Sequence, residues 1–522
     1  MSAKERYDYL SSDRTQFLNE AKEASELTLP YLIRGHEENS KGMKQLVTPW
    51  QSVGAKGSVA LAAKLSLSLL PPQTSFFKLQ VDESQLGQFP PEVKSELDLS
   101  FAKIERTILE AIAASGDRVV VHQALLHLVV GGNALIFMGK AGLKLFPINR
   151  YVIERDGNGH VIEIVTKERI NKKLIKKYLP KEANEKMLND DGEEKNECDV
   201  YTHVRRENNR FLWHQEVYNY VLPNTISKAP ADATPWLPLR FNTVDGEAYG
   251  RGRVGQFIGD LKSLEALSQA IVEGSAAAAK VVFTVSPSST TKPATLAKAG
   301  NGAIVQGRPD DIGVVQVGKT ADFGTAYEMM GLLEKRLNEA FLVMNVRNAE
   351  RVTAEEVRMT QMELESQLGG LFGLLTNEFL IPYLNRLLNT FQKTGEIPRI
   401  PKKLVKPTIV AGINALGRGQ DRDSLGMFLQ VIAQTMGPEA IQQYINPEEV
   451  VKRLAAAQGI DVLNLVKSME ERQQEQQQAQ AQAQEMEMTK QTGQIMGSPM
   501  MDPTKNPELG MMPEEGGEQP PQ

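Results

Sequence analysis

The chain has 522 residues, 41% hydrophobic and 24% charged, a balance that excludes collagen-like, wholly disordered and disulfide-scaffold proteins. Its 59 Lys and Arg against 65 Asp and Glu leave a formal charge of −6, which argues against a generic polycationic nucleic-acid binder. A single cysteine, Cys198, allows neither a disulfide within the chain nor a thiolate zinc cluster and fits a reducing compartment.

The first residues, MSAKERYDYLSSDR, lack the apolar stretch of a secretory signal. Apolar residues from Tyr7 to Leu27 recur at helical intervals, so a helix is expected over 3–29, ended by Leu29-Pro30. The Ala/Leu-rich run GSVALAAKLSLSLL predicts a buried helix stopped by Pro71 and Pro72, and FFKLQV a short strand. Val93, Leu97, Phe101, Ile104, Ile108 and Ile112 mark an amphipathic helix over 91–114.

In LLHLVVGGNALIFM a helix should break at Gly131-Gly132 and give way to a strand, and fourteen residues are too few to span a bilayer. Short alternating strands come next: LKLFPI, YVIERD, HVIEIVTKERI, DVYTHVRRE, FLWHQEV and LPLRFNTV. The charged stretch 172–197 reads as a surface excursion.

A long helix is expected over 257–279, and a small β module of Val/Ile runs separated by Ser, Pro and Gly succeeds it. Tyr327, Met330, Leu333, Leu337 and Phe341 then restore the helical period. The period fails from Met344 to Thr353, where Thr353 and Glu356 form a capping box for a very long helix. Gly369-Gly370 and Pro382 should bend that helix. An extended proline-spaced segment and short helices over 420–436, 438–444 and 447–470 come next. Beyond 471 the Gln-, Met- and Pro-rich composition predicts disorder.

The sharpest formal motif is Gly250-x-Gly252-x-x-Gly255 between a strand and a helix. DGEAY intervenes, however, and no second strand ends in an acidic residue about twenty residues later, which favours a flexible lead-in to the helix over a dinucleotide site. Arg251, Arg253, Arg347 and Arg351 are either phosphate contacts or members of solvated loops. His122 and His127 do not share a helix face, there is no HExxH, P-loop or G-x-S-x-G, and no catalytic, metal or cofactor site is expected.

Five segments together resemble the portal, or head-to-tail connector, proteins of short-tailed bacteriophages. They are TPWQSVGAKGSVALAAKLSLSLLPPQTSFFKL at 48–79, HQALLHLVVGGNALIFM at 122–138, DGEAYGRGRVGQFIGDLKSLEALSQAIVEGSAAAAKV at 245–281, ERVTAEEVR at 350–358 and GINALGRGQD at 412–421. The resemblance implies an α+β portal fold, assembled as a ring of about twelve subunits. Its parts would be an α/β wing (1–255), stem helices (256–281 and 322–343), a β-containing clip (282–321) and a channel loop (344–352). A kinked wing helix with a returning strand (353–412), a helical crown (413–470) and a flexible tail (471–522) complete it.

It further implies a non-enzymatic conduit for packaging and ejecting double-stranded DNA, with Asn345, Arg347, Asn348 and Arg351 facing the DNA without base readout. Terminase, tail adaptor, major capsid and scaffolding proteins are the implied partners. The implied location is the portal vertex of the virion, after assembly in the host cytoplasm, with no membrane contact. The alternatives are a nucleotide-binding oxidoreductase using the Gly250, Gly252 and Gly255 turn, and a free scaffolding or adaptor protein.

Overall fold

The computed structural model describes residues 1–34, 47–71, 75–81, 91–180, 197–278, 282–289, 292–300, 304–306, 308, 310, 312–315, 320–343, 368–398, 405–409, 426–435 and 450. The chain divides into two compact units, Met1–Ala415 and Leu416–Gln522. In the second unit, residues 426–435 are helical. All the other described elements belong to the first unit.

Helix α1 (Ala3–Glu26) opens on a capping box, in which the Ser2 hydroxyl accepts from the Glu5 amide and the Glu5 carboxylate accepts from the Ser2 amide. Helix α2 (Val53–Leu69) ends before the two prolines, and β1 (Phe77–Val81) and α3 (Pro91–Ala114) come after it. Helix α4 (Asp117–Gly131) is buried at every position from Ala124 to Gly131, as its predominantly apolar run requires, and it packs against both α1 and α2. The centre of the fold is therefore a helix whose C-terminal half has no solvated side.

At Gly132 the chain enters the left-handed region, φ +75°, and turns into β2 (Asn133–Gly139). Strand β2 is the middle of a three-stranded sheet, flanked by β3 (Gly142–Pro147) and, after a long excursion, by β10 (Trp236–Arg240). The excursion is a second sheet of β4 (Tyr151–Arg155), β5 (Val161–Asn171), β6 (Glu197–Glu207), β7 (Arg210–Val217) and β8 (Tyr220–Val221), with β9 (Ser227–Pro230) also on β7. Every pairing between described strands is antiparallel.

The charged stretch after β5 is not wholly a surface excursion. Ile175 and Leu179 are buried with Cys198, Val200, Val217 and Leu222 in a small separate core. Apolar residues of the charged sequence turn inward there, because β6 and β7 leave an apolar end to cover. Cys198, set in a polar run, is buried for the same reason.

Helix α5 (Ile258–Ala278) and helix α6 (Thr320–Ala340) run antiparallel, with Arg336 paired to Asp260 and the Ser268 hydroxyl donating to the Met330 sulfur. Between them lie β11 (Val282–Val285), a short helix (Pro293–Lys298) and β12 (Ile312–Val315), the two strands pairing in register. The base of the helix pair reaches the main core: Leu261, Leu264, Leu333 and Leu337 are buried, while Val272, Tyr327, Met329 and Leu332 are exposed.

From Leu368 a helix leads through a π-turn, Thr376–Leu380, into α7 (Ile381–Thr394). Pro382 has no amide hydrogen to donate to the preceding turn, and the ladder widens immediately before it. Gly395, φ +83°, ends α7, and β13 (Val405–Ile409) pairs with β1 from Phe77↔Ile409 to Val81↔Val405. No helix among the described residues is long and apolar enough to cross a membrane.

Candidate functional site at the glycine crossing

The glycines of the 250–255 motif form a crossing of two backbones. Gly132, at the left-handed corner after α4, lies against the segment Gly250-Arg251-Gly252. A Cβ on Gly132 would stand 2.5 Å from the Gly252 nitrogen and 2.6 Å from the Gly250 oxygen. Conversely, a Cβ on Gly250 would meet the Gly132 oxygen at 2.7 Å, and one on Gly252 the Val130 oxygen at 2.6 Å. The space that a dinucleotide fingerprint reserves for pyrophosphate is filled by main chain.

Asn133 locks the crossing. Its side-chain amide donates to the Gly250 carbonyl at 2.6 Å and the Gly131 carbonyl at 3.1 Å, while its Oδ1 accepts from the Gly250 amide at 2.7 Å. The Gly132 carbonyl accepts from Phe241, and Asn242 and Arg251 exchange backbone bonds in an isolated bridge. Buried Tyr249, one residue earlier, accepts the Ile153 amide at 3.1 Å, and burial pushes its phenol well above the usual range. The expected flexible lead-in is thus corrected to a buried clamp. Local pattern hides it, because Asn133 and Gly250 are 117 residues apart in the chain. Gly255 differs, with nothing within 4 Å of the place a Cβ would take.

Neither arginine of the motif is free for phosphate. Arg251 bonds Glu247 and Glu20 and lies over the Phe17 ring at 5.3 Å. Arg253 donates from Nε (3.2 Å) and Nη2 (3.0 Å) to the Ala340 carbonyl at the end of α6, and burial lowers its pKa. A cleft of about 920 Å³ beside the crossing is lined by Glu20 and Glu23 as well as these arginines, so it offers no uniformly positive phosphate cradle.

The end of α6 is held from two sides. Arg253 takes the Ala340 carbonyl and the Lys64 ammonium the Leu342 carbonyl. Cations at a helix C-terminus complement its dipole. Leu342 adopts φ +56°, the Val343 amide donates to Asn338 and the Leu342 amide to Glu339, which together form a Schellman stop. The expected channel-loop residues Asn345, Arg347, Asn348 and Arg351 lie outside the described residues, but their point of departure at Val343 is fixed by these contacts.

A second anchor ties the returning helix to the sheet. Glu378, in the π-turn, accepts from the Arg240 backbone amide, Nε and Nη2 at 2.9, 2.9 and 2.7 Å and lies 3.5 Å from Arg155. Burial pushes the Arg155 pKa down to about 10, Glu378 raising it and Arg240 lowering it. The π-turn aims this carboxylate at two buried guanidiniums, a pairing that no local sequence pattern announces.

Antiparallel sheets, a helix pair carrying a small β module, and a glycine motif that serves main-chain packing define an α+β protein. Residues 1–465 match the model of the bacteriophage head to tail connecting protein family, and the chain belongs to that family. It is 36% identical over 484 residues to the portal protein of Enterobacteria phage T3, spanning 90% of this chain and 89% of the relative. It is likewise 36% identical over 486 residues, with the same coverage, to the portal protein of Escherichia phage T7. A solved structure described as the neck of an empty GTA particle aligns with TM-score 0.38 and 11% identity, over 79% of this chain and 90% of that one.

Proposed function

We propose that this head-to-tail connecting protein is the portal subunit of a short-tailed phage virion, a ring of about twelve copies at one capsid vertex through which double-stranded DNA is packaged and ejected. The family match across 1–465, with relatives named as portal proteins matched over nine-tenths of their length, carries the reading. In it, 1–255 is the wing, 256–281 and 322–343 the stem, 282–321 the clip, 344–352 the channel loop, 353–412 the long wing helix and returning strand, and 413–470 the crown, with 471–522 as the tail. The role is structural: a separate ATP-driven terminase docks at the clip, and tail adaptor, capsid and scaffolding proteins bind elsewhere on the ring.

Two features support it. The helix pair α5–α6 leaves Val272, Tyr327, Met329 and Leu332 exposed, apolar surface that a neighbouring copy would cover. The net charge of −6 per chain suits a conduit, since about twelve copies carry roughly −72 and repel phosphate on average. DNA then slides past a few donors, Arg347 and Arg351 with Asn345 and Asn348, instead of being gripped. Negative-stain imaging of the purified full chain should show closed rings with a central channel, and Tyr327→Ser with Leu332→Glu should leave folded monomers. Monodisperse, ringless wild-type protein at high concentration would refute the reading.

A further inference from the structure

The six-stranded sheet carries a cluster of titratable side chains for which the portal reading has no use. His203 of β6 stands directly opposite His214 of β7 in the strand register, with ring centroids 5.5 Å apart. Glu216 lies two residues beyond His214 and so projects from the same face, its Oε1 lying 2.7 Å from His214 Nε2. One ligand atom from each of the three lies within 4.8 Å of the others. His203 and Glu216 are buried and His214 is half-buried, so the group is shielded but reachable.

We propose that His203, His214 and Glu216 form a site for one zinc-class divalent cation. Imidazole nitrogen with a single carboxylate oxygen suits zinc, whereas magnesium and calcium prefer oxygen-rich sets. The cation replaces the shared proton between His214 and Glu216. Their atoms need to separate only to the roughly 3.3–3.5 Å that bonds of about 2.0–2.2 Å impose on tetrahedral ligands.

The surrounding groups fit that role. Glu163, on neighbouring β5, accepts a hydrogen bond from His203 Nε2, leaving the other ring nitrogen for the metal, the carboxylate–histidine arrangement that orients metal ligands. Glu216 Oε2 is already occupied by the Ala3 amide at 2.7 Å, which leaves Oε1 for the cation. Arg6 neutralises Glu163 and Glu154, and half-exposed Arg205, whose Nε lies 3.1 Å from His203 Nε2 and whose Nη2 lies 3.4 Å from Nδ1, must swing toward solvent to free the ring for a metal. A bound cation would bridge β6 to β7 and, through Ala3, hold the start of α1. No sequence motif reveals the full site, because His203 meets His214 and Glu216 only through strand register.

The full-length chain, stripped with chelator, is dialysed against zinc chloride or magnesium chloride. Metal content is then read by plasma mass spectrometry and thermal unfolding recorded. Close to one zinc per chain, no magnesium, and a zinc-dependent rise in Tm are expected. His214→Ala and Glu216→Gln, each checked for native circular dichroism, should bind zinc at least tenfold more weakly, while His122→Ala keeps it. Cobalt substitution of the unaltered chain gives a readout that needs no variant, an intense visible band from low-symmetry coordination. A chain that retains no zinc, equal zinc binding in all three variants, or bound cobalt with only the weak octahedral spectrum would each overturn the proposal.

Discussion

The guanidinium of Arg253 and the carbonyl of Ala340 are joined by two hydrogen bonds across 87 residues of sequence. That contact sets the entry to one helix of the α5–α6 pair against the exit from the other, and Lys64 adds a second cation at the same terminus. Arg253→Ala should cost about 1.5–3 kcal/mol, the range for a charged hydrogen bond. Lys64→Ala should cost less, and the double variant should fall short of the sum, because both neutralise one helix end. Denaturant titration of the three variants measures this directly.

Gly132 and Gly255 make opposite demands. Gly132→Ala places a methyl group against main-chain atoms at 2.5–2.6 Å in a left-handed conformation, and the loss should exceed about 4 kcal/mol, enough to leave little soluble protein. Gly255→Ala meets nothing within 4 Å and should be neutral or slightly stabilising within the helical turn Arg253–Gln256. Soluble yield and Tm separate the two. A phosphate-binding use of the motif would instead make both changes costly to ligand binding.

Glu378 is the shared partner of Arg240 and Arg155, both nearly buried. Glu378→Ala leaves two guanidiniums uncompensated and should cost about 3–5 kcal/mol. Glu378→Gln, which keeps a carbonyl acceptor, should cost less. Unfolding midpoints in urea distinguish them.

Burial holds His127 at a pKa of about 4, and its Nδ1 has no hydrogen-bond partner. Its folded pKa lies below the unfolded value, so the unfolded chain binds the extra proton. Stability is therefore unaffected above about pH 6.5 and falls as pH drops from there toward 4, by up to about 3 kcal/mol. His127→Leu should remove this acid limb. Tm measured from pH 7 to pH 4 for both proteins tests it.

Arg347→Ala with Arg351→Ala should leave rings and prohead assembly intact. Packaging efficiency or retention of packaged DNA should change, with little dependence on DNA sequence. A double variant that packages and retains DNA like the parent would return these arginines to an ordinary solvated loop.

Much of the fold comes from local pattern. The helix over 91–114, the stop before Pro71, the break at Gly132 and the strand runs from β2 to β7 depend on periodicity and on Gly and Pro chemistry, which act over a few residues. The resemblance to portal proteins was likewise legible, in five segments of this one chain that run in the family's order. Tertiary structure alone decided what the distinctive residues do. It turned a phosphate-like glycine motif into a backbone crossing with Gly132, gave Arg251 and Arg253 protein partners, and carried Glu378 to Arg240. It also set His203 beside His214. Each of these depends on which distant segment arrives at a given face. That is settled by burial of the shared core around α4, not by the sequence on either side of the residue.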